Sequence, residues 1–138
     1  MPERGYVRWF SDLSMADVAS VGGKNASLGE LYRELVPLGV PVPNGFAVTA
    51  GAFQDALTRA RAWPQLHAEL DGLDKSDVGA LARAGARCRE IVYGAGLSPE
   101  MEAEILAALE RLEAEYGEDL SVAVRSSATA EDLPTASF

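Results

Sequence analysis

With 138 residues, of which 48% are hydrophobic and 24% charged, the chain has the size and balance of one soluble globular domain and not of a disordered tail or a fibre. Twelve Lys and Arg against 21 Asp and Glu give a formal net charge of −9, which repels a phosphate backbone and disfavours general nucleic-acid binding, while local cations can still hold one small phosphorylated ligand. The single cysteine, Cys88, excludes an internal disulfide, and no apolar run approaches the roughly 20 residues of a membrane span, so a reducing cytoplasm without membrane attachment is the expected setting.

Tyr6-Val7-Arg8-Trp9-Phe10 mixes aromatic and β-branched residues ahead of the polar Ser11-Asp12, which predicts a short strand. After Gly22-Gly23, the residues Leu28, Leu31, Tyr32, Leu35 and Leu38 recur at three- and four-residue steps; they predict the apolar face of a helix that begins near Asn25 and stops at Gly39. Val40-Pro41-Val42-Pro43-Asn44-Gly45 is too proline-rich for a central strand and is expected as a rigid connection. Phe46-Ala47-Val48 is a buried-strand candidate, and Thr49 can cap a helix with Phe53, Leu57 and Ala60 inward. Trp63-Pro64 opens a further helical turn, continued by Leu66 and Leu70.

Past the turn Asp71-Gly72-Leu73-Asp74, the residues Val78, Leu81, Gly85, Cys88, Ile91 and Val92 predict an amphipathic helix running from Ser76 and ended by Gly94 and Gly96. Ser98 as cap and Pro99 at the first position open the clearest helix, with Met101, Ile105, Leu109, Leu112 and Tyr116 inward. Its glutamates, Glu100, Glu102, Glu104, Glu110, Glu113 and Glu115, read as a solvated face, and Gly117 closes it. Leu120-Ser121-Val122-Ala123-Val124 predicts a buried strand running into Arg125-Ser126-Ser127-Ala128-Thr129. The whole reads as an α+β fold, helices packed on a small sheet. Three short strands are thin cover for four helical faces, and the last residue, Phe138, follows a loop leaving a strand, so a piece of something larger is expected.

Two motifs carry candidate chemistry. Gly22-Gly23-Lys24 precedes a helix, so backbone N–H groups, the helix dipole and an ammonium group can converge on one anion. The alternative is a glycine turn with a solvated lysine, and the Walker pattern is excluded by Val18 and Asn25. Arg125 at the end of an apolar strand offers a guanidinium fork suited to phosphate oxygens, followed by the hydroxyls of Ser126, Ser127 and Thr129. Here the alternative is an exposed arginine with a Ser/Thr turn, in which Thr129 and Asp132 form a capping box. His67 reads as a helix-surface residue and Cys88 as a small core residue. Glu131 and Asp132 could touch a magnesium ion, or be solvated loop carboxylates.

Taken together, Val21-Gly-Gly-Lys-Asn-Ala-Ser-Leu-Gly-Glu30, Val40-Pro-Val-Pro-Asn-Gly-Phe46 and Ala123-Val-Arg-Ser-Ser-Ala-Thr-Ala-Glu-Asp-Leu-Pro-Thr-Ala-Ser-Phe138 closely resemble the N-terminus of the phosphoenolpyruvate synthase (pyruvate, water dikinase) family. Pyruvate, phosphate dikinases and rifamycin phosphotransferases share this domain; Asn25-Ala-Ser-Leu-Gly and Leu73-Asp-Lys-Ser-Asp77 look more like the synthase. The resemblance implies that residues 1–138 are one partial domain, the N-terminal subdomain of an ATP-grasp nucleotide-binding domain. It implies an enzyme in which ATP phosphorylates a histidine on a mobile domain, releasing AMP and phosphate, after which the phosphohistidine converts pyruvate to phosphoenolpyruvate. Lys24 matches the lysine that reaches the ATP phosphates, Arg125 the arginine that stabilises the transferring phosphoryl group, and Ser126, Ser127 and Thr129 the loop over the phosphates. ATP and Mg2+ are the implied cofactors. The magnesium ligands, phosphohistidine and pyruvate-binding domain are expected beyond position 138, in the remaining domains of the parent enzyme, so that this chain alone is inactive. A free-standing module that binds a nucleotide or partner protein without catalysis is the alternative from another class, and a fragment of a rifamycin phosphotransferase is another.

Overall fold

Val7–Trp9 (β1) pairs antiparallel with Phe46–Val48 (β2), placing Val7 opposite Val48, Arg8 opposite Ala47 and Trp9 opposite Phe46. This is the α+β core of a computed structural model that describes residues 5–130. The described residues fall into two compact units: Phe53–Ser98 is one, and the residues up to Ala52 with those from Pro99 onward are the other.

In the discontinuous unit, β1 leads into two 3-10 turns, Phe10–Asp12 and Met15–Asp17, then α1 (Val18–Val21) and α2 (Gly23–Leu35). Ser14 and Asp17 form a capping box, which directs the chain into α1. A 3-10 turn at Val36–Leu38 ends at Gly39, whose φ of 84° lies in the left-handed region expected of a glycine stop. The connection from Val40 to Gly45 is irregular, as its prolines require. Leu13, Val21, Ala26 and Ala47 make the core, with Phe10 and Val18 packed against it.

α2 begins at Gly23 rather than near Asn25, and its buried face is the small one: Gly23, Ala26 and Gly29. The predicted leucine stripe lies elsewhere, with Leu31 and Leu38 exposed and Leu28, Tyr32 and Leu35 half-buried. The cause is close approach. Leu13 is fully buried, and a Cβ at Gly29 would overlap the Leu13 Cβ and come within 3.0 Å of its carbonyl oxygen, so only small residues fit there.

α6 (Pro99–Tyr116) packs Met101, Ala108 and Leu112 inward, leaving Ile105 and Leu109 half-buried and Tyr116 exposed. Its glutamates are not all a solvated face. The Glu104 carboxylate accepts the Tyr6 and Val7 N–H groups at 2.6 and 3.2 Å, supplying the entry of β1 with acceptors that the two-stranded ladder does not provide. Near the other end of α6, the Asn44 N–H donates to the Tyr116 hydroxyl at 2.7 Å, and Asn44 Nδ2 donates to Glu115 at 2.9 Å. Between these ties the Arg111 guanidinium lies 4.0 Å from the Trp9 ring centroid, and Trp9 meets Phe46 at 5.5 Å. Glu104→Ala should destabilise the chain by about 1–2 kcal/mol, seen as a lower urea midpoint, because two part-buried N–H groups lose their acceptor. Glu104→Gln keeps a carbonyl oxygen and should lose less than half as much.

The continuous unit is helical. The chain enters it along α3 (Ala50–Arg59), whose cap, the buried Thr49, accepts the Ala52 N–H at 3.2 Å and still belongs to the discontinuous unit. Leu57 is buried as expected, whereas Phe53 and Ala60 are exposed, since only one line of this short helix meets its neighbours. α4 (Ala62–Leu70) buries Ala62 and Leu66 and leaves Leu70 exposed. α5 (Val78–Ala95) is capped by Asp77, which accepts the Ala80 N–H at 2.9 Å; it continues through Gly94 and stops at Gly96, φ 65°. Leu57, Ala62 and Leu66 form the core here, with Cys88, Ile91, Val92 and Ala95 against it, so Cys88 is a packing residue. Val78 and Leu81, predicted inward, are exposed.

The third predicted strand does not form among the described residues. Leu120 to Val124 pairs with no other segment, and Val122 and Val124 are exposed, Val124 at 92%. Alternating apolar residues acquire a buried face only when a ladder places them on a sheet, and the ladder here contains β1 and β2 alone.

Candidate functional site

The glycine turn is fixed from both sides. Val21 is buried in the core at the end of α1, and the Gly22 N–H closes that helix on the Val18 carbonyl at 2.8 Å. Gly22 then takes φ 82°, ψ 163°, a conformation essentially reserved for glycine, and serves as the N-cap of α2. Asn25 Nδ2 donates to the Val21 carbonyl at 2.9 Å, bracing the turn across one helical step.

Against this turn lies the loop after Arg125. The Gly23 N–H donates to the Ala128 carbonyl at 3.3 Å. A Cβ on Gly22 would overlap Ser127 Oγ and stand 3.0 Å from the Ala128 carbonyl oxygen, so the loop approaches to within backbone contact. The Ser127 hydroxyl is buried and makes no hydrogen bond. The two motifs singled out in the sequence, far apart along the chain, therefore meet.

Lys24 directly follows Gly23 and Arg125 stands two residues before Ser127, a chain distance of at most about 7 Å from the contact in each case, and both are exposed. Ser126 and Thr129 are exposed as well, and Ser127 is half-buried. A lysine and an arginine flanking one junction of backbone amides and hydroxyls can neutralise and orient a polyphosphate, the arginine through its planar fork and the lysine as a point charge. One expected donor is otherwise engaged: the Gly23 N–H, read from sequence as an anion ligand, is held by Ala128. What sequence reasoning missed was the part of Gly22 and of the Ala128 carbonyl, since no spacing rule tells which loop a glycine faces. The signal present was a glycine pair in a chain that also carries a run of small residues.

His67, in the Phe53–Ser98 unit, is exposed on α4, with Nδ1 3.3 Å from the Asp71 carboxylate one turn on. His67→Ala should change stability by less than about 0.5 kcal/mol in urea denaturation, as expected of a surface substitution. Glu131 and Asp132 lie outside the described residues. Among the described residues no group of three or more His, Cys, Asp or Glu side chains is placed to hold a metal ion. No described helix is long and apolar enough to cross a membrane.

Residues 18–138 match the family described as the pyruvate phosphate dikinase AMP/ATP-binding domain, and the chain belongs to that family. The match takes in both the glycine turn and the Arg125 loop. Among individual proteins, the chain is 49% identical over 134 residues to the phosphoenolpyruvate synthase of Neisseria meningitidis, covering 96% of the chain and 17% of that protein. It is 50% identical over 133 residues to the phosphoenolpyruvate synthase of Pseudomonas aeruginosa, and 48% over 132 residues to that of Escherichia coli, again over 96% of the chain. It spans 16–17% of the length of these curated relatives.

Proposed function

We propose that this chain supplies the first phosphate-binding part of an ATP-grasp nucleotide domain in a cytoplasmic phosphoenolpyruvate synthase. In that enzyme ATP, water and a protein histidine give phosphohistidine, AMP and phosphate, and the phosphohistidine then passes its phosphoryl group to pyruvate. The observation that carries this reading is the Gly23 to Ala128 hydrogen bond, which joins a glycine turn bearing Lys24 to a loop bearing Arg125. Lys24 draws in the ATP phosphates. Arg125 stabilises the charge of the transferring phosphoryl group, and Ser126, Ser127 and Thr129 close over the phosphates. The adenine wall, the magnesium ligands and the phosphorylated histidine belong to the rest of the parent enzyme. With one wall of the cleft, the 138-residue chain alone should bind ATP more weakly than micromolar and catalyse nothing, because partial burial of a ligand leaves little surplus over the cost of association.

The test is a chimera in which these residues replace the matching segment of the E. coli enzyme, 48% identical to them. A folded chimera should form phosphohistidine from ATP and release AMP and phosphate. One that melts like the parent yet is never phosphorylated overturns the reading.

A further inference from the structure

We propose that Gly22 is a positioning residue: its missing side chain seats Ser127 and Ala128 on the start of α2 and so fixes how far apart Lys24 and Arg125 stand. This rests on the nucleotide-site reading above and deepens it. Three observations meet at one place. Gly22 holds φ 82°, which L side chains rarely adopt. The space a Cβ would need is already filled by Ser127 Oγ, with the Ser127 carbonyl carbon and the Ala128 oxygen each at 3.0 Å. The neighbouring Gly23 N–H completes the contact through its hydrogen bond to Ala128.

Two of the three nearest atoms are backbone, so a side chain at position 22 cannot be accommodated by a rotamer change; the whole loop must move. Arg125 is two residues upstream of Ser127 and Lys24 two residues downstream of Gly22, so displacing the loop changes the separation of the two cations directly. A cation pair set for one polyphosphate loses its fit when shifted by an ångström. Ser127 Oγ lies buried against the turn, in the space a Cβ on Gly22 would take.

The contact can be opened from either side. Gly22→Ala adds the forbidden carbon; Ser127→Val adds bulk opposite an unchanged Gly22, and so tests the contact without altering the turn's own dihedral preference. In the 138-residue chain without nucleotide, each should raise amide exchange at Gly23 and at residues 126–130 by tenfold or more, while β1, β2 and Met101 to Leu112 keep their protection. In the full-length parent enzyme Gly22→Ala, which leaves every proposed phosphate-binding side chain in place, should raise the KM for ATP at least tenfold and leave the KM for pyruvate within twofold, a split that general destabilisation does not produce. If both variants leave loop exchange within threefold of the wild type, the seating does not exist. If the loop loosens but the KM for ATP holds, Gly22 does not position the cations, and the proposal is again overturned. Failure of the nucleotide reading itself looks different: the unaltered parent enzyme would not use ATP, whatever the exchange data say.

Discussion

Replacing Arg125 by alanine in the full-length parent enzyme should slow transfer from ATP to the enzyme's histidine about a hundredfold, while exchange between phosphohistidine and pyruvate continues at its normal rate. The asymmetry follows from where the residue stands. Under the role proposed for it, Arg125, beside the loop that meets the α2 N-terminus, makes a contact that strengthens as phosphoryl charge develops, so its loss should fall on the ATP half-reaction alone. Lys24→Met should act in the same direction. Arg125→Lys should recover only part of the rate, because an ammonium group cannot reproduce a bidentate fork. Labelled ATP and labelled pyruvate report the two half-reactions separately. Equal damage to both by Arg125→Ala would mean that the residue organises structure and not phosphoryl transfer.

The largest stability effect is expected at Leu13. This side chain is fully buried in the cluster with Val21, Ala26 and Ala47, and Gly29 on α2 presses against its Cβ. Leu13→Ala should cost about 3 kcal/mol, combining lost burial with a cavity that a close-packed glycine face cannot collapse to fill. Leu38→Ala, at a position 76% exposed, should change stability by less than about 0.5 kcal/mol. Urea denaturation of the two variants side by side measures the contrast, and similar losses would mean that the leucine periodicity of this region marks the core after all.

That contrast also shows what the sequence could and could not reveal. Helix positions were legible because their ends carry chemistry: Thr49 and Gly39 act where a cap and a left-handed stop were expected, and Pro99 opens α6. Which face of a helix is buried was less legible. Periodicity weighs large apolar residues, whereas α2 is held by Ala26 and Gly29, whose value lies in what they lack. Glu104 was hidden for a related reason, since a carboxylate serving two backbone N–H groups looks in sequence like any solvated glutamate. Leu120 to Val124 has the pattern of a strand, but a strand is a property of a pair. The candidate site was legible as two motifs, each with a plausible plain explanation. Their meeting at Gly22, Gly23, Ser127 and Ala128 is tertiary information that neither motif contains.

The chain has two tryptophans, and the fold gives one to each compact unit. Trp9 meets the Phe46 ring and carries the Arg111 guanidinium over its own, while the Trp63 indole N–H donates to Thr58 Oγ1 at 3.2 Å. Their surroundings differ in polarity and charge, so their emission should differ in wavelength and in quenching. Single Trp→Phe variants therefore turn intrinsic fluorescence into two independent optical reporters, one for the unit that holds the glycine turn and one for the helical unit, without any added label.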